Sequence, residues 1–290
     1  MVAAQPIPTF DRDGAPISVL VDFDGTISLA DVGDALLARL APDKAEVARL
    51  DRLYDEGRVG SRELITWDME VLPRDPSLLL REATAIHMDP TFPDLVRTVR
   101  DVGGAVEIVS DGIGFHVEPM LARIGLSDLP VATNASQLGR GGAGVSVPYG
   151  HPACLVCGTC KRERVRRHQE AGRAVVFVGD GTSDRYAAHH ADMVFAKASL
   201  AAWCQAENVP YEPWSRLSEV ADWIATALDD GRLPASEAAF PEWATRHRAT
   251  VVAFICGPEA TGTGGTAAFG APTHREGAAR DVRPCTDGPS

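Results

Sequence analysis

Asp22 and Asp24 stand two residues apart in Val21-Asp22-Phe23-Asp24-Gly25-Thr26, directly after the apolar run Ile17-Ser18-Val19-Leu20-Val21. Alternate side chains of an extended segment share a face, so the two carboxylates point the same way. One can attack phosphorus while the other protonates a leaving oxygen. Because a phosphomonoester is a dianion, such an attack needs cations and hydrogen-bond donors to offset the charge. The sequence supplies them at the ends of two further apolar runs. Ala105-Val106-Glu107-Ile108-Val109 leads into Ser110-Asp111-Gly112, whose hydroxyl and N–H groups can hold phosphate oxygens. Ala174-Val175-Val176-Phe177-Val178 leads into Gly179-Asp180-Gly181-Thr182-Ser183-Asp184, which adds two carboxylates. Lys161 opens a predicted helix and brings a cation. Asp22, Asp180 and a backbone carbonyl provide the oxygen ligands that Mg²⁺ requires.

These residues need a scaffold that brings strand ends together. Short, continuous apolar runs alternating with helices predict an α/β fold with a Rossmann-like open parallel sheet. Ligands of such sheets bind beyond the carboxyl ends of the strands. Weaker strands are expected at Val131-Ala132-Thr133 and Met193-Val194-Phe195-Ala196. Helices are expected over Gly114 to Ile124, Lys161 to Ala171, Ser183 to Ala191 and Ser218 to Leu228, and Pro241 to Ile255 reads as one more. Residues 31–100 carry helical patterning, clearest at Ala35 to Leu40 and Leu64 to Leu72. That stretch exceeds a usual crossover, so it reads as an inserted helical cap domain. The expected division is a flexible N-terminus (1–16), a core (17–30 and 101–230), the cap (31–100), and a largely disordered extension (231–290). The Gly- and Ser-rich segment 136–150 reads as a hairpin or flap.

In their order and context these motifs resemble the haloacid dehalogenase superfamily of phosphatases. The resemblance rests on Asp22-Phe23-Asp24-Gly25-Thr26, Ser110, Lys161, and Asp180 with Asp184, and covers roughly residues 17–230. It implies that Asp22 forms an aspartyl-phosphate and that Asp24 serves as general acid and then base. It implies phosphate contacts from Thr26, Ser110, Asp111, Gly112 and Lys161. It also implies a Mg²⁺ cofactor held by Asp22, Asp24, Asp180 and Asp184. An insert directly after the first motif is the cap position of the phosphoserine-phosphatase-like branch. Within it, Val109 to Val117 and Cys154-Leu155-Val156-Cys157-Gly158-Thr159-Cys160-Lys161 look like the methionine-salvage phosphatases, which act on 2-hydroxy-3-keto-5-methylthiopentenyl-1-phosphate. Phosphocholine and phosphoethanolamine phosphatases share the cysteine-rich approach to the lysine. Phosphoserine phosphatases have a glutamate where this chain has Asp31, a possible substrate contact, and favour Gly-Gly where it has Asp111-Gly112.

Other features set bounds. The formal net charge of −12 argues against a nucleic-acid binder, whose affinity comes from clustered Lys and Arg. No apolar run has transmembrane length, and residues 1–16 lack the layout of a signal peptide. The expectation is a cytoplasmic enzyme whose partner is a small phosphorylated metabolite, with no nucleic acid and no membrane; the oligomeric state is left open. A phosphotransferase or mutase, a protein phosphatase and a non-catalytic regulator are the rival readings. Cys154, Cys157 and Cys160 with His151 have zinc-like spacing, yet a second Cys-x-x-Cys pair is missing, which favours small residues packed near Lys161. Gly139-x-Gly141-x-x-Gly144 matches a dinucleotide string without the helix that should follow. Arg58 and Arg62 read as solvated charges of the cap, one of which a cap closing on an anion could use.

Overall fold

The computed structural model describes residue 7 and residues 14–138, 144–152 and 154–248. Most of the expected N-terminal segment, the Gly139-Gly141 part of the glycine string and everything beyond residue 248 lie outside the described residues. Six strands form one wholly parallel sheet: β1 (Ile17–Val21), β2 (Ala105–Val109), β3 (Val131–Ala132), β6 (Ala174–Gly179), β7 (Met193–Ala196) and β8 (Glu212–Pro213), in the order β3-β2-β1-β6-β7-β8. Between β3 and β6 a two-stranded antiparallel hairpin, β4 (Ala135–Gln137) and β5 (Gly144–Ser146), forms the expected flap.

The central strands are continuous apolar runs because helices cover both faces. Every residue of β1 and β6 is buried. After β1 the chain adds strands on one side as far as β3, then crosses back to add β6, β7 and β8 on the other. The topological switch therefore falls between β1 and β6. A crevice opens there at the carboxyl ends of the strands, and Asp22 and Asp180 are the residues that follow those two strands.

The expected cap segment contains five helices: α1 (Val32–Leu40), α2 (Lys44–Asp55), α3 (Ser61–Val71), α4 (Pro76–Thr84) and α5 (Phe92–Asp101). Asp31, Asp43 and Asp75 cap the first, second and fourth by accepting N–H bonds of the opening turn, the role such side chains fill best. The fifth differs from the others. It buries Phe92, Leu95, Val96 and Val99 and packs along β2 and α10 (Leu217–Asp229), so it runs on the core rather than over the strand ends. The remaining helices are α6 (Val117–Arg123), α7 (Lys161–Glu170), the single turn α8 (Arg185–Ala188), α9 (Ala198–Glu207) and α11 (Phe240–His247). The helix expected from Ser183 is thus a turn at Thr182–Asp184 followed by α8. In the C-terminal extension, α11 buries Trp243, whose indole N–H donates to Arg232 O at 2.8 Å. No helix among the described residues is long and apolar enough to cross a membrane.

α7 is fastened from beneath by buried charge. Arg164 donates to Glu107 Oε1 from Nε at 2.8 Å. His168 donates from Nε2 to Glu107 Oε2 at 2.6 Å, and its Nδ1 lies 2.9 Å from Ser18 Oγ. These contacts tie the helix to β1 and β2 and fix the direction in which its first residue, Lys161, points.

Candidate active site

A chamber of about 440 Å³ lies between the strand ends and the helices α1, α2 and α3. The structure brings Asp22, Asp24, Asp31, Asp111, Gly112 and Asp180 to its wall, with Ser110, Lys161 and Asp184 directly behind.

Asp22 ends β1, and its carboxylate is buried. Oδ1 accepts from Lys161 Nζ at 2.6 Å, and the same ammonium donates to Asp184 Oδ1 at 2.6 Å and Ser183 Oγ at 3.0 Å. Burial raises the Asp22 pKa well above the usual carboxylate range. Asp184 and Asp180 push it further up, and Lys161 only partly opposes them. Burial would lower the Lys161 pKa, but Asp184 and Asp22 outweigh it and hold the side chain protonated. Asp22 and Asp184 thus share one ammonium beside a third carboxylate, Asp180, which leaves excess negative charge in a buried place. Asp180 registers the same crowding: burial and Asp184 push its pKa up to about 6.

This is a place a divalent cation fits. Oxygens of Asp22, Asp180 and Asp184 lie within 4.8 Å of one another. Ligands around an octahedral Mg²⁺ are separated by roughly 3–4 Å. The donors are all hard carboxylate oxygens. Asp184 is the most committed of the three, because Oδ2 accepts the N–H groups of Asp180 and Gly181, each at 2.9 Å, while Oδ1 takes Lys161. It holds the loop that presents Asp180. Thr26 Oγ1 also donates to Asp180, at 2.6 Å, so its hydroxyl serves the carboxylate. Gly25 adopts φ +77°, and a Cβ there would collide with the Asp180 carboxylate. Only glycine lets the turn after β1 close against the loop after β6.

Asp24 faces a different set of partners. Ser110 Oγ donates to its Oδ2 at 3.3 Å, and Val32 N and His116 Nε2 both lie 3.1 Å from Oδ1. Burial would raise its pKa; the His116 charge and hydrogen bond, the Val32 N–H and Lys161 outweigh that and lower it. Ser110 Oγ in turn accepts the Gly112 N–H at 3.2 Å.

The Asp111 side chain is spent on other work. Its carboxylate accepts from Ser61 Oγ at 2.5 Å, Thr159 N at 2.6 Å and Asn134 Nδ2 at 3.2 Å, so only the backbone around it is left to meet a ligand. It links α3 to the loop before Lys161. Burial raises its pKa despite those three donors. Asp31 lines the chamber and uses Oδ1 to cap α1 through Asp34 N at 2.9 Å. Water reaches it through the chamber, but protein encloses it on most sides. Its pKa is raised well above the usual range, first by that enclosure and then by Asp24 and Asp34.

The cysteine-rich loop packs as small apolar residues. Cys154, Val156 and Cys157 are buried against Tyr54 and Tyr186. His151 and the cysteines do not form a three-ligand group among the described residues. The cap arginines turn away from the chamber. Arg62 donates to Cys157 O at 3.0 Å, and Arg58 pairs with Glu56 at 3.6 Å.

Sequence reasoning did not single out His116, Ser61, Asn134 or Thr159 as site residues. His116 lies within the Ser110 to Val117 stretch, six residues past the serine, and its fully buried ring is the sort of feature that only packing reveals. The acids of the cap were also missed. Nine of the twenty described residues lining the chamber are aspartates, among them Asp34, Asp51, Asp55 and Asp68.

Residues 19–189 match the model of the haloacid dehalogenase-like hydrolases. A relative from Exiguobacterium sibiricum named 2-hydroxy-3-keto-5-methylthiopentenyl-1-phosphate phosphatase is 28% identical over 218 residues, which span 72% of this chain and 97% of the relative. A protein of the same name from Brevibacillus brevis is 28% identical over 209 residues, 69% of this chain and 90% of that one. Among solved structures, a phosphoserine phosphatase captured as a phospho-aspartyl intermediate analogue aligns with a TM-score of 0.57 at 20% identity, covering 72% of this chain and 99% of its own. A substrate-bound phosphoserine phosphatase gives 0.56 at 19% identity, covering 71% and 97%. At such identities these two structures speak to the fold.

Proposed function

The chain belongs to the haloacid dehalogenase-like hydrolases, and from that premise we propose that it is a Mg²⁺-dependent phosphomonoester hydrolase that works through Asp22 on a small phosphorylated metabolite in the cytoplasm. The observation that carries this reading is the single ammonium of Lys161, held 2.6 Å from both Asp22 and Asp184 beside a third carboxylate, Asp180.

The Asp22 carboxylate attacks phosphorus, the ester P–O bond breaks, and Asp24 gives a proton to the departing alkoxide. Water then attacks the aspartyl-phosphate, Asp24 takes its proton, and phosphate leaves with Asp22 restored. The low pKa of Asp24 in the free protein suits the ionised base of this second step; a dianionic phosphate beside it raises that pKa and favours the proton the first step needs, and His116 with the Val32 N–H keeps the carboxylate in place for both. Ser110 Oγ and the backbone around Gly112 lie beside Asp24 and are suited to hold phosphoryl oxygens. Lys161 keeps Asp22 oriented and offsets charge as the phosphoryl group arrives. A Mg²⁺ held by Asp22 and Asp180, with Asp184 beside them, would neutralise the charge of the phosphoryl oxygens.

The relatives' names make 2-hydroxy-3-keto-5-methylthiopentenyl-1-phosphate the first substrate to test. The purified protein should release phosphate from phosphomonoesters with Mg²⁺ and lose that activity on chelation. Asp22→Asn that turns over at the wild-type rate would refute the mechanism.

A further inference from the structure

We propose that the cap wall of the chamber selects phosphomonoesters whose alcohol portion carries an ammonium group. This rests on the phosphohydrolase reading and names the substrate class for the same site.

Asp51, Asp55 and Asp68, from α2 and α3, line the side facing the strand ends, together with Asp34 and the ring of Tyr54. Among the described residues, no Lys or Arg lines the chamber. A dianionic phosphate passing this wall meets a field that opposes it. An ester with a positive group at its far end is drawn in by the wall that repels its phosphate. Asp68 adds a separate observation. It is 7% exposed, and its Oδ1 has no hydrogen-bond partner. Buried polar atoms are nearly always satisfied, and an orphaned one asks for an explanation. An N–H donor or cation on a bound substrate supplies it, and such charge-assisted contacts are the strong ones. The aromatic face of Tyr54 suits the same group.

A second metal ion fits less well. Among the described residues, only Asp22, Asp180 and Asp184 offer three oxygens within 4.8 Å of one another. The chamber acids are too dispersed to ligate one ion and are spread for a larger organic cation. A ligand with an uncharged tail, such as a thioether, would leave Asp68 unanswered.

The test compares matched pairs on the wild-type enzyme at saturating Mg²⁺: phosphocholine against 3,3-dimethylbutyl phosphate, and phosphoethanolamine against propyl phosphate. The ammonium ester should win in kcat/KM by roughly 10- to 100-fold, as a charge-assisted contact is worth. Asp68→Asn and Asp51→Asn should each shrink that ratio, mainly through KM of the ammonium ester. Equal kcat/KM within both pairs, or a preference for the uncharged esters or for the methylthiopentenyl ester, overturns the proposal while leaving the hydrolase reading intact. So does an ammonium preference that neither substitution alters. Failure to hydrolyse any ester, p-nitrophenyl phosphate included, overturns the hydrolase reading and this inference with it.

Discussion

The molecule buries carboxylates in two places and treats them in opposite ways. Beneath α7, Glu107 is answered on both oxygens, by Arg164 and His168, and His168 is answered by Ser18. Under the cap, Asp68 has an oxygen without a partner, and aspartates face one another across open space. A buried charge whose partners are all present makes structure, because it fixes one arrangement of the elements it joins. A buried acid left wanting keeps its proton in the free protein or costs free energy once ionised, and is worth keeping only where something else completes it. Lys161 belongs to both regions: the balanced network aims α7, and the first residue of α7 carries the ammonium that Asp22 and Asp184 share.

The largest effect should come from the catalytic side of this divide. Asp22→Asn removes the nucleophile and should cut phosphate release by about 10⁴-fold or more, as loss of a covalent catalyst does. It should not lower the melting temperature, because it removes one of the crowded carboxylates Asp22, Asp180 and Asp184. A variant with retained turnover or a collapsed fold would show that Asp22 belongs to the structural class instead.

The balanced network should behave in reverse. Glu107→Ala leaves Arg164 buried and uncompensated, which costs about 3–5 kcal/mol and should lower the melting temperature by about 10 °C. Calorimetry reads this directly. If stability is unchanged, the pairing under α7 is incidental and the contrast between the two regions fails. His116→Gln should have a smaller effect. It loosens Asp24 from its 3.1 Å partner and should lower kcat by about 10-fold or more while changing KM little, as the loss of help with proton transfer implies. An unchanged kcat would reduce His116 to packing against Phe23.

How far the sequence reveals this contrast depends on the region. The sheet is legible because β1, β2 and β6 are apolar runs that end abruptly in polar residues, and the motif residues sit at those ends. Glu107 interrupts such a run, and nothing local says that its partners lie 57 and 61 residues further on. α5 has the pattern of the cap helices, since an amphipathic face says that something covers it but not what; the structure lays it on the core. α9, rich in alanine with Leu200 and Cys204 buried, lacks the polar and apolar contrast that marks a helix in sequence. The chamber acids are the hardest case. Asp34, Asp51, Asp55 and Asp68 read as solvated charges on helices, and only the orientation of α1, α2 and α3 over the strand ends turns them toward one space.

The finest test of the contrast is a titration of stability. Burial, with Asp51 and Asp34 nearby, pushes the Asp68 pKa up to about 8 from an ordinary value near 4. Between those limits the folded protein holds a proton on Asp68 that the unfolded chain has released. Stability linked to this group is therefore complete below about pH 4 and falls as the pH rises toward 8. The loss should be on the order of 2 kcal/mol over that window, since water entering a chamber relieves part of a buried charge. Asp68→Asn has no proton to lose, so its melting temperature should exceed that of the wild type at pH 8.5 and match it more closely at pH 5. Saturating phosphocholine should narrow the gap at pH 8.5, because the ligand answers the carboxylate that the variant lacks. A gap independent of both pH and ligand would place Asp68 with Glu107, as a group whose charge the fold already accommodates.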